Sequence, residues 1–309
     1  MPEAGAHSCP SFGAEDSLIE AVDRTAAALS QAGIEDPRGE ARRLVANAAR
    51  QDPIRLIAEP ERQLGSEAAH RLEVYVRRRL RHEPVSRILG RREFYGRDFD
   101  LSPATLDPRP DTEVLIEAAS ELIREEGWAG RPLRILDIGT GTGAIAITML
   151  AEFAEATCVA TDIIAEALAT AKANAQRHGV ADRAEFVRTR SLEGIEGPFD
   201  LVLSNPPYIP SAEIDRLDAE VRIYDPRAAL DGGPDGLQIY REIISGLSNI
   251  MPAGWIVLEV GFDQAPAVGQ LLSDHGFRDV RTWQDLGNHT RCVAARTQNS
   301  GSREKDLDS

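Results

Sequence analysis

The sequence predicts an α/β protein whose larger part is a mostly parallel, Rossmann-like sheet. From residue 133 onward, apolar runs of strand length alternate with amphipathic helical segments. Parallel strands need crossover connections, so this alternation predicts one sheet of seven strands with helices on both faces. The predicted strands cover residues 133–138, 159–162, 184–188, 199–204, 255–260, 277–283 and 291–295.

The segment before this sheet predicts a small helical bundle over residues 15–84. Apolar residues recur at helical spacing, and Gly33 and three prolines punctuate the helices. The last helix carries a basic run, Arg77, Arg78, Arg79 and Arg81. Such a run is usually a solvated helix face, and a binding patch is the alternative. No catalytic cluster occurs here, which favours a role in binding or positioning a partner.

Composition narrows the class of protein. The chain has 309 residues and a net charge of −15, which disfavours non-specific binding to nucleic acid. The excess negative charge lies outside the bundle, because residues 15–90 contain thirteen acidic and thirteen basic residues. Three scattered cysteines and the lack of a signal or membrane-spanning pattern favour a cytoplasmic protein without disulfides or zinc. The polar segments 1–14 and 298–309 are expected to be disordered.

The sequence around Asn205 is the first candidate site. Ser204-Asn205-Pro206-Pro207-Tyr208 follows a buried strand, and the prolines force the chain out of the sheet in an extended loop. Ligands of open α/β sheets bind at this edge. An Asn oxygen and a free carbonyl can hold both hydrogens of an –NH2 group, so the loop suits an enzyme that modifies an amide or exocyclic amine. A plain strand-to-loop turn is the alternative.

A glycine loop follows the first strand. Gly139, Thr140, Gly141, Thr142 and Gly143 have GxGxG spacing, unlike the GxGxxG of pyrophosphate binders. The preceding carboxylate, Asp137, would repel phosphate but could serve a cationic amino-acid ligand, which favours S-adenosylmethionine over a dinucleotide. Asp162 ends the next strand, where it can hold ribose hydroxyls or merely cap the following helix.

The connector between the two regions predicts a hairpin and then a candidate rim of the site. Residues 85–110 contain the stretch Gly96-Arg97-Asp98 between apolar residues, which favours a β-hairpin. A proline-rich stretch with Arg109, Asp111 and Glu113 follows, and Asp111 is expected to cap the helix that begins there. An interdomain linker is the alternative to an active-site rim.

Together these motifs resemble the release-factor glutamine methyltransferases (the PrmC/HemK family). The resemblance covers residues 15–296 and is carried by Pro108-Arg-Pro-Asp-Thr-Glu113, Asp137-x-Gly-Thr-Gly-Thr-Gly143, Asn205-Pro-Pro-Tyr208 and Asp235-Gly236-Leu237. It implies a class I methyltransferase domain at 111–297, S-adenosyl-L-methionine as cofactor, S-adenosyl-L-homocysteine as product, and a helical domain that helps bind class I peptide chain release factors. The implied substrate is the Gln side chain of a Gly-Gly-Gln motif, and the protein is expected to be a monomer without nucleic-acid or membrane partners.

Two departures from the family pattern concern the site. Arg190 and Ser191 stand where relatives usually have Asp and an aromatic residue near the adenine, and Asp107 stands where an apolar residue is common. The expected cofactor-binding residues are the glycine loop 139–143, Asp162, Ser191 and Asn205. Asp137, Arg109, Asp111 and Glu113 are expected to support the site.

The expected chemistry is methyl transfer to an amide nitrogen. The Asn205 side-chain oxygen and the Pro206 carbonyl are expected to accept the two N–H hydrogens of the target Gln, while Pro207 and Tyr208 wall the pocket. The route of the leaving proton stays open, and neither His289 nor Glu259 is assigned to it. A DNA or RNA adenine-N6 methyltransferase would use the same loop, but it should carry a basic groove. A binding module that kept the fold without chemistry is the third possibility.

Overall fold

The computed structural model describes residues 9–297, which form two compact units that divide between Arg91 and Arg92. Of the termini expected to be disordered, residues 1–8 and 298–309 lie outside the described residues. Residues 9–14 make contacts within the first unit. Phe12 is buried, and its backbone N–H donates to the Glu73 carboxylate over 3.0 Å.

The first unit, residues 9–91, is a helical bundle. Its helices are α1 (Leu18–Gln31), α2 (Pro37–Ala48), α3 (Pro53–Ala58), α4 (Ser66–Arg79) and α5 (Val85–Leu89). Ser17 and Glu20 form a capping box at the start of α1, which satisfies backbone N–H groups that a helix start leaves unpaired. Two of the prolines stand at the first positions of α2 and α3, where a missing N–H costs nothing.

Part of the basic run on α4 is internal to this unit. The Arg79 side chain is only 3% exposed, and its Nε donates to Glu40 over 2.6 Å, which ties α4 to α2. Arg78 donates to Glu83 over 2.8 Å and to the carbonyls of Arg87 and Ile88. The interpretation as a solvated face is therefore wrong for Arg79 and incomplete for Arg78, while Arg77 and Arg81 are exposed.

The second unit begins with the predicted hairpin and continues into the predicted sheet. Strands β1 (Arg91–Phe94) and β2 (Arg97–Asp100) pair around a turn at Tyr95 and Gly96, both with positive φ. The sheet has the order β5-β4-β3-β6-β7-β9-β8. Its strands are β3 (Arg134–Ile138), β4 (Thr157–Asp162), β5 (Ala184–Arg188), β6 (Leu201–Ser204), β7 (Trp255–Glu259), β8 (Arg278–Gln284) and β9 (Thr290–Arg296).

The sheet is mostly parallel, as the sequence predicts. Strands β3 to β7 pair in parallel, and β9 pairs antiparallel with both β7 and β8. The helices of this unit are α6 (Glu113–Glu125), α7 (Ala144–Glu152), α8 (Ala165–Arg177), α9 (Ala219–Tyr224), α10 (Gln238–Gly246) and α11 (Ala265–Asp274).

Alternate residues of the central strands bury opposite faces of the sheet. Leu203 and Val257 belong to a cluster that contains the apolar sides of α6 and α7. Val202 and Ile256 belong to a second cluster, which contains those of α10 and α11. Since successive side chains on a strand point to opposite faces, continuous apolar strands need cover on both sides, and the two helical layers provide it.

The described residues contain no helix that is both long and apolar enough to cross a membrane. The three cysteines are free thiols, and Cys158 and Cys292 are buried. Burial raises the pKa of both buried thiols, which keeps them protonated and unreactive.

Candidate active site

The strand order reverses between β3 and β6, and the candidate residues meet at that point. Ile138 of β3 pairs with Thr161 of β4 on one side and with Ser204 of β6 on the other. The Ser204 hydroxyl donates to the Ile138 carbonyl over 2.7 Å. The glycine loop and Asn205 therefore leave the sheet side by side, at the edge where open α/β sheets bind ligands.

The glycine loop turns sharply over the end of β3. Gly139, Gly141 and Gly143 all have positive φ, which residues with a Cβ seldom adopt. At Gly143 a Cβ would also stand 2.8 Å from Ile147 and 3.3 Å from the backbone of Ala171, so glycine allows α7 and α8 to approach closely. The backbone N–H groups of Gly139 and Thr140 donate to the Thr161 carbonyl, which holds the loop against β4.

The Asp137 side chain holds this loop through hydrogen bonds. Its carboxylate is fully buried, accepts from the Thr140 hydroxyl over 2.6 Å and from the Ala146 N–H over 3.3 Å, and burial raises its pKa to about 7. Asp137 does not line the cavity described below. Asp137 therefore holds the glycine loop in place, and the suggestion that it contacts a cationic ligand directly is not supported.

Asp162 holds the start of α8 and the glycine loop, while the ribose-binding role that the sequence left open stays a prediction. One carboxylate oxygen accepts from the Ile164 N–H at the start of α8, and the other accepts from the Gly141 N–H over 3.0 Å. Burial raises its pKa from the ordinary value. Each oxygen keeps a second lone pair, and the residue lines the cavity, so it can still accept from ligand hydroxyls.

A cavity of about 620 Å³ opens at this edge of the sheet. Its lining includes the loop residues 138–142, Asp162, the apolar side chains of Ile163 and Ile164, and Asn205 and Pro207. The volume is within the range typical of small-molecule sites.

The two departures after β5 also lie at this cavity. Arg190 lines it but turns its guanidinium to Glu242, at 3.0 to 3.3 Å, and Gln238 donates to the same carboxylate. The Ser191 hydroxyl is buried and has no hydrogen-bond partner among residues 9–297. A ligand group in the cavity could supply that missing partner.

Asn205 presents its side-chain oxygen at the cavity. Its amide nitrogen donates to the Thr112 hydroxyl over 3.1 Å, and within the described residues no donor is bonded to its Oδ1. The adjacent Pro206 carbonyl is likewise free of internal hydrogen bonds over residues 9–297. Pro206 is buried and does not line the cavity, so its part as a second acceptor beside Asn205 stays a prediction.

Beyond Asn205, the loop that contains Gly232 forms the wall of the site. Gly232 packs on the backbone of Pro207 and Tyr208, since a Cβ there would stand 2.8 Å from both. Gln264 donates to the Tyr208 carbonyl over 2.8 Å and accepts from the Gly261 N–H. Pro207 lines the cavity, whereas Tyr208 packs in the α10–α11 cluster and burial raises its pKa to about 12. Stacking of Tyr208 on a substrate stays a prediction.

The proline-rich stretch lies at the cavity through Pro108 and Thr112. Arg109 donates to the buried Asp225 over 2.6 Å, and Asp111 pairs with Arg291 at 2.8 Å. Glu113 accepts from the Tyr95 N–H of the hairpin over 2.9 Å. These three residues hold the stretch in place and do not line the cavity, which agrees with a supporting role.

One detail of this stretch differs from the sequence-based expectation, and a second concerns the departure from the family pattern at Asp107. Asp111 does not cap α6, because residues 110–112 form a 3₁₀ turn and Thr112 is the N-cap, without a side-chain capping bond. Asp107 is buried, and its carboxylate lies 3.7 Å from the Arg92 guanidinium. The acidic residue therefore has a cationic neighbour in place of an apolar environment.

Two residues of the site escaped the sequence analysis. Thr112 was passed over between the charged residues on either side of it. Asn174 is fully buried on α8, donates to the carbonyls of Asp100 and Thr142, and accepts from the Asp100 N–H. In the sequence, Asn174 stands out only as a polar residue on the apolar face of an amphipathic helix. That pattern does not indicate which groups it bonds.

The cavity fits S-adenosyl-L-methionine. Gly139 and Gly141 border it, and a Cβ at either would project into open space, so the bare backbone leaves room for a ligand to approach. Asp162 supplies acceptors for a ribose diol, isoleucines flank it for a flat base, and the Ser191 hydroxyl lacks a partner. Sheet order, glycine loop and cavity together define a class I methyltransferase, for which this compound is the methyl donor.

Comparison with known proteins narrows that class. The family profile described as the PrmC N-terminal domain matches residues 20–90, and the methyltransferase small domain matches residues 111–232. The chain is 46% identical to the release factor glutamine methyltransferase of Bradyrhizobium diazoefficiens, over 90% of this chain and 94% of that protein. The protein of the same name from Agrobacterium fabrum is 42% identical, over 87% of this chain and 93% of that protein. The one from Rhodospirillum rubrum is 41% identical, over 94% of this chain and 89% of that protein. The chain belongs to the release factor glutamine methyltransferase family.

A solved structure supports the fold alone. The catalytic domain of hMettl16, crystallised with the MAT2A 3′UTR hairpin 6, is similar with a TM-score of 0.52 at 18% identity. The similarity covers 64% of this chain and 74% of that one.

Proposed function

We propose that this protein transfers a methyl group from S-adenosyl-L-methionine to the side-chain amide nitrogen (N5) of the Gln in the Gly-Gly-Gln motif of class I peptide chain release factors. The observation that carries the proposal is the state of Asn205. Its nitrogen is bound to Thr112 and its oxygen is left free at the cavity, next to the free Pro206 carbonyl. Two acceptors on consecutive residues would match the two hydrogens of one –NH2 group.

The residues of the loop would act by orienting the target. An amide nitrogen is a poor nucleophile because its lone pair is delocalised into the carbonyl. When bound, the cofactor supplies a methyl group on a sulfonium, already a strong electrophile. Asn205 Oδ1 and the Pro206 carbonyl would hold both N–H hydrogens and so set the plane of the amide and the direction of its nitrogen. Pro207 would restrict the amide from one side.

The other residues would hold the cofactor or support the site. Within the glycine loop 139–143, residues 139–142 would contact the cofactor together with Asp162, Ser191 and Asn205, and Gly143 would let α7 and α8 approach closely. Asp137, Arg109, Asp111 and Glu113 would support those contacts. The helical segment 15–84 would contribute recognition of the release factor, joined through 85–110 to the methyltransferase domain 111–297. A monomeric protein in the cytoplasm, where translation ends, fits this role.

The alternative substrate, an adenine in DNA or RNA, is not favoured. The chain carries a net charge of −15, and the sequence outside residues 15–90 holds the excess acidic residues. A protein that flips a base out of a duplex needs a basic groove to hold the backbone. Direct contact with nucleic acid is therefore not part of the proposal.

The test is transfer of labelled methyl from S-adenosylmethionine to a purified class I release factor, beside a Gln→Ala version of its Gly-Gly-Gln motif. Label on the first protein and none on the second is the expected result. Label on both would place the methyl group on a different residue. Label on DNA or RNA, with none on either protein, would overturn the proposal in favour of the adenine reaction.

A further inference from the structure

A buried carboxylate lies behind Asn205 and has no role in the chemistry described so far. Glu259 ends β7, and the parallel register that pairs Ser204 with Leu258 makes it the neighbour of Asn205 across the two strand ends. It is 2% exposed and does not line the cavity. Its Oε2 has no hydrogen-bond partner among the described residues. A buried acceptor of this kind is costly, which calls for a function.

The groups facing this carboxylate include Thr112 and the Asn205 side chain itself. Hydrogen bonding by Thr112 and Asn205 favours its ionised form, as does the charge of Arg291, while Asp111 opposes it. Tyr208, Tyr240 and Cys292 also face it, because its charge raises the pKa of each of them. Burial is the largest influence, and the balance raises the pKa of Glu259 to about 7.

An ionised carboxylate can only accept hydrogen bonds, and this fixes the direction of its neighbours' bonds. If the single proton of the Thr112 hydroxyl is drawn to Glu259, the Thr112 oxygen can only accept from Asn205. The Asn205 side chain must then turn its –NH2 group toward Thr112, as observed, and its oxygen toward the cavity. Without the carboxylate, Thr112 could donate to Asn205 Oδ1, and the amide could flip and present –NH2 to the substrate's own –NH2.

We propose that Glu259 is a positioning residue whose carboxylate fixes the orientation of the Asn205 amide, both directly and through Thr112. This inference rests on the proposed function. It identifies Glu259 as the residue that turns Asn205 Oδ1 toward the substrate amide. Glu259 touches neither substrate nor cofactor. Its effect falls on turnover and not on binding of either.

The test compares Glu259→Gln, Thr112→Val and Thr112→Ser with the wild type, using S-adenosylmethionine and a class I release factor. The Gln and Val variants are expected to lose about tenfold or more in kcat, since a misplaced orienting group is costly, with KM and cofactor Kd within about twofold. Thr112→Ser keeps the hydroxyl and should recover most of the kcat that Thr112→Val loses. Because the contribution of Thr112 depends on Glu259, the Glu259→Gln, Thr112→Val double variant should lose no more than Glu259→Gln alone.

The pH profile separates positioning from mere structural support. The wild-type kcat should rise with pH through about 7 as Glu259 ionises, and Glu259→Gln should lose that rise. The matched control is Glu126→Gln. Glu126 accepts from the indole of Trp255 at the other end of β7, away from the cavity, so its variant should keep the wild-type kcat and pH profile.

Each outcome decides one proposal. Wild-type kcat in both Glu259→Gln and Thr112→Val, or losses that add in the double variant, would overturn the positioning role while leaving the glutamine methylation intact. An inactive wild type would overturn the proposed function instead. The positioning role would then be decided by NMR of the cofactor-free protein. The Asn205 side-chain NH2 signals, assigned by their loss in Asn205→Asp, should shift with pH through about 7 in the wild type and in Glu126→Gln, but not in Glu259→Gln.

Discussion

Gly232 lies directly against Tyr208, with a Cβ position only 2.8 Å from the Tyr208 Cα. The Gly232 N–H donates to the Ile209 carbonyl, and Ile209 donates back to Leu230. The two loops therefore run side by side beyond Asn205. This contact joins the Asn-Pro-Pro-Tyr loop to a segment more than twenty positions further along the chain.

Gly232→Ala is expected to lower kcat by about tenfold or more, because the added methyl must push Pro207 and Tyr208 away and move the acceptors of Asn205 and Pro206. Methyl transfer to the release factor measures kcat, and isothermal titration measures cofactor affinity. The control is Gly269→Ala within α11, where glycine is a poor helix former and the substitution should not reduce activity. Full activity in Gly232→Ala would show that the contact does not position the loop.

Asn205→Ala is expected to lose about 100-fold or more in turnover, on the scale of an absent orienting group, with cofactor affinity nearly unchanged. The measurement is single-turnover methyl transfer beside cofactor titration. Asn249→Ala, at an exposed position after α10, is the matched control and should behave as the wild type. Equal turnover in Asn205→Ala and the wild type would remove Asn205 from the mechanism.

Asp162→Asn is expected to weaken binding of S-adenosylmethionine by about tenfold or more, because charge-assisted hydrogen bonds to the cofactor's hydroxyls are replaced by weaker ones. Calorimetric titration gives the Kd. Glu166→Gln, exposed in the first turn of α8, removes one negative charge nearby and serves as control. If both variants bind as the wild type does, Asp162 acts only as a cap for α8 and the glycine loop.

The thermal stability of the protein should fall as pH rises from about 5 to about 8. Burial raises the pKa of Asp137 and of Glu259 to about 7, and it raises that of Asp162 as well. In the unfolded chain such groups titrate near 4, so over this interval the folded protein binds more protons than the unfolded chain. The free energy of unfolding therefore decreases with rising pH until these groups are ionised in both states.

Scanning calorimetry at several pH values measures this decrease. Asp137→Asn should show a smaller fall in Tm across the interval, since one titrating carboxyl is gone. In the control, Asp235→Asn, the fall should match the wild type, because Arg241 lowers the pKa of Asp235 to about 2 and the group stays ionised throughout. The same slope in Asp137→Asn as in the wild type would contradict the raised pKa.

The strands, their order along the chain and the main site motifs could be predicted from the sequence. Continuous apolar runs mark buried parallel strands, glycines at alternate positions mark a sharp turn, and paired prolines mark an exit from the sheet. These are local signals, because each depends on residues within one turn or one strand. The hairpin was found in the same way, although its turn lies at Tyr95 and Gly96 and the predicted turn was the stretch Gly96-Arg97-Asp98.

The partners of individual side chains could not be predicted in this way. Asp111 fits a helix cap by local preference, yet it pairs with Arg291, which lies far along the chain on β9. The α4 run looked like a solvated face, yet Arg79 is buried against Glu40. In each case an ion pair with a residue far along the chain replaces the contact that local preference predicts. The periodicity of the sequence does not show which distant residue forms that pair.

The chain's local patterns were thus enough to establish a Rossmann-like sheet, a glycine loop and an amide-holding loop after β6. The folded molecule settled which neighbours those loops have. Thr112, Asn174, Gly232 and Glu259 come from four separate segments and meet the site only because the sheet order and its register bring the strand ends and the flanking helices together. Strand identity depends on short-range periodicity, whereas hydrogen-bond partners depend on contacts between residues far apart in the chain.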